Sequence, residues 1–362
     1  MSTLKIVLSG DWHLDSPWDS LPAHKAAEMR RLAREMPHRI ACIAREEQAD
    51  MILLSGDLFD SPAPGPESRA AVESAFRNMD IPVFITPGNH DHYTPGGIWD
   101  SLNLPENVHV FRSEALERIE LGCAYIYGSA FCAPHRRELP RDFAPKDGKD
   151  KPHILLLHAD LGGRGDYLPL AEEQLRHSGF HFAALGHIHK PSGLNRLGTT
   201  HWCYPGCPMG RGFDECAARG AMLITCEDGF WQGEFLELGD RRFEIMAVNV
   251  SGRDPHDALE QAVYEAREGD IYRFELCGFA RSCPSQSFLD TLAEAKGLYA
   301  AFLRDNTALP PEDGEGTLRG TLMRLVRERA ADDPHMAAEL ARALDWALAA
   351  LDGADAPEEV RK

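Results

Sequence analysis

The chain has 362 residues, 43% of them hydrophobic and 26% charged, with a formal net charge of −19 and a pI near 5.3. That length accommodates one large domain with an appendage or two domains, and the composition is that of an ordinary globular protein. The acidity is spread along the chain, which argues against gripping a polyanion by bulk charge alone, because neutralising phosphates takes Lys and Arg.

The nine cysteines are scattered without a Cys-x-x-Cys pair, so reduced thiols are expected in preference to disulfides or a zinc site. Residues 1–9 show no charged-then-apolar leader, and no apolar run approaches bilayer-spanning length. The expectation is a cytoplasmic protein with no membrane segment.

Taken in order, Leu4–Leu8 is a β-branched-rich strand running into Ser9-Gly10-Asp11-Trp12-His13. A helix is predicted over Pro22–Glu47, with Met29, Leu32, Ile40 and Ile43 among its core contacts. Met51–Leu54 is a buried strand that ends in Gly56-Asp57-Leu58-Phe59-Asp60. A Pro- and Gly-punctuated loop follows, then a helix over Glu67–Asn78. Ile81–Thr86 is a third strand, ending in Pro87-Gly88-Asn89-His90-Asp91.

Short strands are predicted at Val108–Phe111, Leu116–Leu121 and Ala124–Gly128, and an irregular excursion over residues 133–152. His153–Leu157 delivers His158, and Phe182–Leu185 delivers Gly186-His187-Ile188-His189. Residues 203–238 turn to β alternation. Near Asp240-Arg241-Arg242 the character changes. A strand at Phe243–Val250, a helix at Pro255–Arg267 and a strand at Ile271–Cys277 follow, then helices at Ser285–Arg304, Thr317–Ala331 and Pro334–Leu351. A frayed tail is expected after Asp352. Alternating strands and helices with polar strand ends indicate an α/β core with its site at one sheet edge. The division implied is residues 1–240 and 241–362.

The strand-end residues Asp11, His13, Asp57, Asn89, His90, His158, His187 and His189 offer carboxylate, imidazole and amide groups but no thiolate. That mixture suits Mn²⁺, Fe or Zn²⁺, and the donors outnumber what one tetrahedral ion takes, so two metal ions are inferred. Turn and capping preferences explain Asp, Asn and Gly at strand ends, but not clustered histidines. For Asp60 and Asp91, fixing a loop is a lesser alternative to a role at the site.

Asp-x-His, Gly-Asp-x-x-Asp, Gly-Asn-His-Asp, a single His after a strand and Gly-His-x-His occur in the order of the calcineurin-like metallophosphoesterases, which the first 200 or so residues resemble. The resemblance implies a four-layer α/β/β/α sandwich with a small C-terminal α/β and helical appendage. It implies one metal on Asp11, His13, Asp57 and His189, and a second on Asp57, Asn89, His158 and His187. A hydroxide held between the ions would be the nucleophile, because metal binding lowers the pKa of water from 15.7 towards ~7. His90 would support the leaving oxygen or the transition state, with the Asp60 carboxylate orienting it.

Trp12-His13-Leu14-Asp15-Ser16-Pro17, the His187-Ile188-His189-Lys190-Pro191 run and Tyr204–Glu215 are similar to the SbcD- and YhaO-like DNA repair nucleases. That likeness implies Mn²⁺-dependent cleavage of DNA, an SbcC-like coiled-coil ATPase partner and a homodimer, with residues 241–362 capping or binding the partner. Arg211 would contact a substrate phosphate or pair with Asp214. His92 and Tyr93 would touch nucleotide or pack their loop. Met336, Leu340, Leu344, Leu348 and Leu351 form a stripe suited to core packing or to a partner. A nucleotide or small-molecule phosphoesterase and a non-catalytic repair scaffold stand as alternatives.

Overall fold

A computed structural model describes residues 3–77, 79–140, 143–146, 148, 150–310 and 318–351. The chain forms two compact units, Met1–Arg242 and Phe243–Lys362.

The first unit is built on two six-stranded sheets. In one, Leu4–Ser9 lies between Met51–Leu54, parallel to it, and Gly220–Glu227, antiparallel to it. Val83–Ile85 and Val108–Val110 continue the parallel side, and Phe230–Glu237 closes the other edge. In the other, Thr200–Cys203, Phe182–Gly186, His153–His158 and Tyr125–Gly128 run parallel, with Asn195–Leu197 and Glu117–Glu120 antiparallel at the edges.

Because side chains alternate along a strand, each sheet has two apolar faces to cover. Ile6, Leu8, Leu53 and Phe84 of the first sheet meet Ile126, Ile154, Leu156, Phe182 and Ala184 of the second in one continuous core. The alternate residues Tyr127, Leu155, Leu157, Ala183 and Leu185 pack outward with Phe180 and Leu175, the latter on a short helix at Glu172–Arg176. Helices Ala23–Ala33, Met36–Glu46 and Pro66–Ala75 bury Met29, Leu32, Ile40 and Val72, and Met36–Glu46 packs on the first strand. The result is the α/β/β/α sandwich. Each fully buried aliphatic side chain contributes about 1.5–3 kcal/mol, so the stacked sheets dominate its stability.

Three expectations give way. The single helix over Pro22–Glu47 is two, parted at Arg34 and Glu35. Pro37 has no N–H, and inside a continuous helix its ring would strike the carbonyl of Ala33; as the second residue of a new helix it does neither. The helix ending at Asn78 stops at Ala75, and Asn78 lies outside the described residues. The helix over Ser285–Arg304 is helix Gln286–Lys296 followed by strand Ala300–Ala308. Gly297, at φ 77°, ends the helix in the left-handed conformation, which glycine adopts without steric cost.

That strand completes a three-stranded parallel sheet with Ile271–Phe279 and Phe243–Asn249 in the second unit. Leu259, Val263, Phe274, Leu276 and Leu289 form its core. Of the apolar stripe, Leu344 is buried while Met336 and Leu351 are exposed. Thr317 and the tail after Leu351 lie outside the described residues. No described helix is long and apolar enough to cross a membrane.

Candidate metal centre

Strand register sets the site. Ser9 pairs with Leu54 and Leu54 with Ile85, while Gly186 pairs with His158. The segments after these tips therefore emerge at one edge of both sheets, carrying Asp11 and His13, Asp57, Asn89 and His90, and His187 and His189, while His158 is itself the last residue of its strand. Asp11 N–H donates to Gly56 O at 2.8 Å and His13 N–H to Asp57 O at 3.0 Å, which fastens the first two segments side by side.

Such convergence leaves no room for side chains at the crossings. A Cβ on Gly88 would lie 2.2 Å from Asp57 Oδ1, and one on Gly186 would lie 1.9 Å from Ser55 O. Asp11, His13, Asp57 and His187 adopt φ of 50°, 45°, 50° and 97°. Backbone strain of this kind costs on the order of 1–3 kcal/mol per residue and persists where the surroundings impose it.

Three sets of side chains bring donor atoms within 4.8 Å of one another: Asp11, His13 and His189; His13, Asp57 and His90; Asp11, Asp57 and His158. Shared members make these adjacent positions of one centre. Asn89 joins through Oδ1, 2.9 Å from His158 Nε2.

The imidazole tautomers test whether a cation fits. A neutral ring carries one N–H. His13 Nδ1 lies 3.0 Å from Asp60 Oδ1, His189 Nδ1 2.6 Å from Glu215 Oε1, and His158 Nδ1 2.9 Å from Ser55 O. Those oxygens can only accept, so each ring's N–H is drawn to Nδ1 and Nε2 is left as a lone pair. Yet His13 Nε2 faces His189 Nε2 at 3.2 Å, and His158 Nε2 faces Asp57 Oδ2 at 3.3 Å as well as Asn89 Oδ1. Acceptor opposed to acceptor is repulsive until a cation, whether proton or metal, stands among them. The donor set fits a divalent ion.

The electrostatics agree. Burial raises Asp11 to about 6, against the pull of His158 and His189. Burial works against the Asp57 carboxylate as well, but His158 and His13 hold it well below the usual range. Burial disfavours the His158 imidazolium, and Asp57 and Asp11 outweigh it, lifting the group to about 9. His13, driven down by burial, falls to about 4. Without metal, the proton filling the Asp57 side of the centre therefore sits on His158.

Several partners differ from those the sequence suggested. The Asp60 carboxylate meets His13 Nδ1, not His90; it is the main-chain carbonyl of Asp60 that accepts from His90 Nδ1, at 3.1 Å. Among the expected His and Asp ligands, only His187 stays outside the three sets. Its main-chain N–H donates to Asp11 Oδ1 at 3.1 Å, and its ring lies 4.9 Å from Tyr167 and 5.3 Å from His158.

Arg211 pairs with Glu215, not Asp214, at 2.6 Å, and approaches Asp60 at 3.5 Å. His92 Nδ1 bonds Asn89 O at 3.2 Å within the loop, and Tyr93 Oη bonds Asp100 Oδ2, on the short helix Ile98–Ser101, at 3.2 Å. Asp91 is a loop fixer: buried, it accepts from the N–H groups of Leu58 and Gly88, each at 2.7 Å, and burial raises it to about 7. Glu215 is the contributor that sequence reasoning passed over. It lies 26 residues beyond His189, with no ligand-like spacing to mark it.

Residues 4–191 match the model of the calcineurin-like phosphoesterase family. The chain is 32% identical to the uncharacterized metallophosphoesterase YhaO of Bacillus subtilis, over 73% of this chain and 67% of that protein. It is 25% identical to the DNA double-strand break repair protein Mre11 of Methanopyrus kandleri, over 73% of this chain but only 62% of the relative, less than two thirds of its length. The crystal structure of TT1561 of Thermus thermophilus aligns at a TM-score of 0.40 and 13% identity, covering 65% of this chain and 99% of that one, too slight a likeness to bear on the argument. With a family match across half the chain and a ring of imidazoles and carboxylates at the shared edge of two sheets, this chain belongs to the calcineurin-like metallophosphoesterases.

Proposed function

We propose that the chain is a metal-dependent phosphodiesterase whose substrate is DNA, acting in repair as a nuclease. The observation that carries the chemistry is the opposition of lone pairs at His13, His189, His158 and Asp57. Asp11, His13, Asp57 and His189 would hold one divalent ion and Asp57, Asn89 and His158 the other, with His187 beside the second. Mn²⁺ suits the nitrogen and oxygen donors. Bound, such a pair supplies Lewis-acid activation of water and of the phosphoryl group.

The chain's own residues do the rest. Asp60 and Glu215 hold the His13 and His189 rings in one tautomer. His90 is exposed beside His13, its ring centroid 4.7 Å away, and its Nδ1 is engaged by the Asp60 carbonyl. His90 Nε2 is thus the atom that meets substrate, donating a hydrogen bond to the leaving oxygen when the ring is protonated.

The likeness to Mre11, a DNA double-strand break repair protein, supports DNA as substrate. The net charge of −19 supports help in holding it, and we take that help to be an SbcC-like coiled-coil ATPase engaged by residues 243–362, in the cytoplasm and with a homodimer as the working unit. The same acidity favours a second reading, a nucleotide phosphoesterase. Labelled linear duplex and single-stranded DNA, incubated with Mn²⁺ with and without the ATPase, decide between them. Cleavage of DNA is expected; inertness towards every DNA form beside rapid hydrolysis of a cyclic nucleotide would establish the second reading.

A further inference from the structure

The loop from Cys207 to Arg219 makes three hydrogen bonds to His189, two to its carbonyl and one to its ring. Arg219 Nη1 and the Cys207 N–H both donate to the His189 carbonyl, at 2.5 and 3.1 Å, and Glu215 takes the ring N–H at 2.6 Å. Glu215 is only 4% exposed. Its two oxygens also accept from Arg211: the main-chain N–H at 2.8 Å, and Nη2 at 2.6 Å. Arg211 Nη2 and His189 Nδ1 stand 2.9 Å apart, two donors crowded together because one carboxylate oxygen accepts from both. Arg211 Nη1 reaches 3.5 Å to Asp60, whose carboxylate holds His13 Nδ1.

One guanidinium therefore lies between the two carboxylates that fix the two facing imidazoles. Without its charge, Asp60 and Glu215 would repel each other across the centre, and each would be freer to release its histidine. We propose that Arg211 and Glu215 are positioning residues for one of the two metal ions: Glu215 holds His189 with Nε2 as the lone pair, and Arg211 ties Glu215 to Asp60 so that His13 and His189 face the same point. This rests on the dinuclear reading above. It also gives Arg211 an alternative to phosphate contact, since its donors are already committed to carboxylates. Outer partners of this kind change metal affinity by about 10–100-fold when removed.

The test is Mn²⁺ titration of chelator-stripped full-length protein by calorimetry, with histidine-selective ¹⁵N NMR to report the His189 tautomer. Wild type is expected to take up two ions with His189 protonated at Nδ1. Glu215→Gln should weaken one ion by about 10–100-fold, leave the other unchanged and mix the tautomers. Arg211→Lys should move the same ion by a smaller factor, because Lys keeps the charge but not the planar fork. Unchanged binding of both ions in Glu215→Gln would overturn the proposal. So would equal weakening of both with a lowered melting temperature of the metal-free protein, which marks a merely structural role. If Glu215→Gln fails to fold, Arg211→Lys decides by the same readouts. A wild type that takes up no Mn²⁺ would instead overturn the dinuclear reading.

Discussion

His90 differs from its neighbours in facing solvent while its main-chain N–H, 2.8 Å from Asp57 Oδ1, ties it to the centre. His90→Ala should reduce Mn²⁺-dependent hydrolysis of bis(p-nitrophenyl) phosphate by about 10²–10⁴-fold, the usual scale of proton-transfer assistance. His158 is the opposite case, buried and committed. Raised to about 9 by Asp57 and Asp11 against the cost of burial, it is protonated at neutral pH in the metal-free protein and must lose that proton to bind an ion. Apparent Mn²⁺ affinity should therefore rise with pH from 7 towards 9, with proton release on binding, measurable by calorimetry in buffers of different ionisation enthalpy. The same shift stabilises the metal-free fold fully below pH 6.5 and is lost as pH rises through about 9. Affinity that falls over this range would contradict the account.

At the residue scale, the convergence of Asp11, His13, Asp57, Asn89, His158 and His189 was legible because each stands at, or within a few positions of, the end of an apolar strand. Glu215 was not, since its role depends on a loop folding back onto His189. The partner of the Asp60 carboxylate was hidden for a similar reason: sequence separation does not tell which of two nearby imidazoles a side chain faces.

Among elements, the strand tips carry the argument. Because the two sheets meet where Gly186 passes Ser55, Gly186→Ala forces a Cβ to 1.9 Å from the Ser55 carbonyl. Backbone cannot yield there without moving a strand, so a loss of about 1–3 kcal/mol is expected, together with weaker Mn²⁺ binding; an unchanged thermal melt would count against this packing. In the second unit, Ser285 accepts from Phe288 N–H at the start of helix Gln286–Lys296. Ser285→Ala should cost about 1 kcal/mol in denaturant unfolding of that unit.

Buried strands of continuous apolar residues were readable from sequence, as were helices with clear periodicity. The turn at Gly297 and the strand after it were not, because Ala300–Leu303 is apolar enough for either state and only pairing with Ile271–Phe279 decides it. Pro37 is a break that the sequence marks, but the helical pattern on either side of it led to one helix being expected where there are two.

For the whole molecule, the acidity and the metal site pull in different directions. A net charge of −19 repels DNA, whereas the proposed ions attract phosphate locally, so cleavage should stop altogether in excess chelator and return when Mn²⁺ is restored. Turnover that survives the chelator would rule out the metal mechanism. The central claim is most directly tested by anomalous diffraction from crystals of the full chain soaked in Mn²⁺. Two peaks are predicted, one among Asp11, His13 and His189 and one beside His158 and Asn89, with the Asp57 carboxylate between them; no peak, or peaks remote from Asp57, would contradict it.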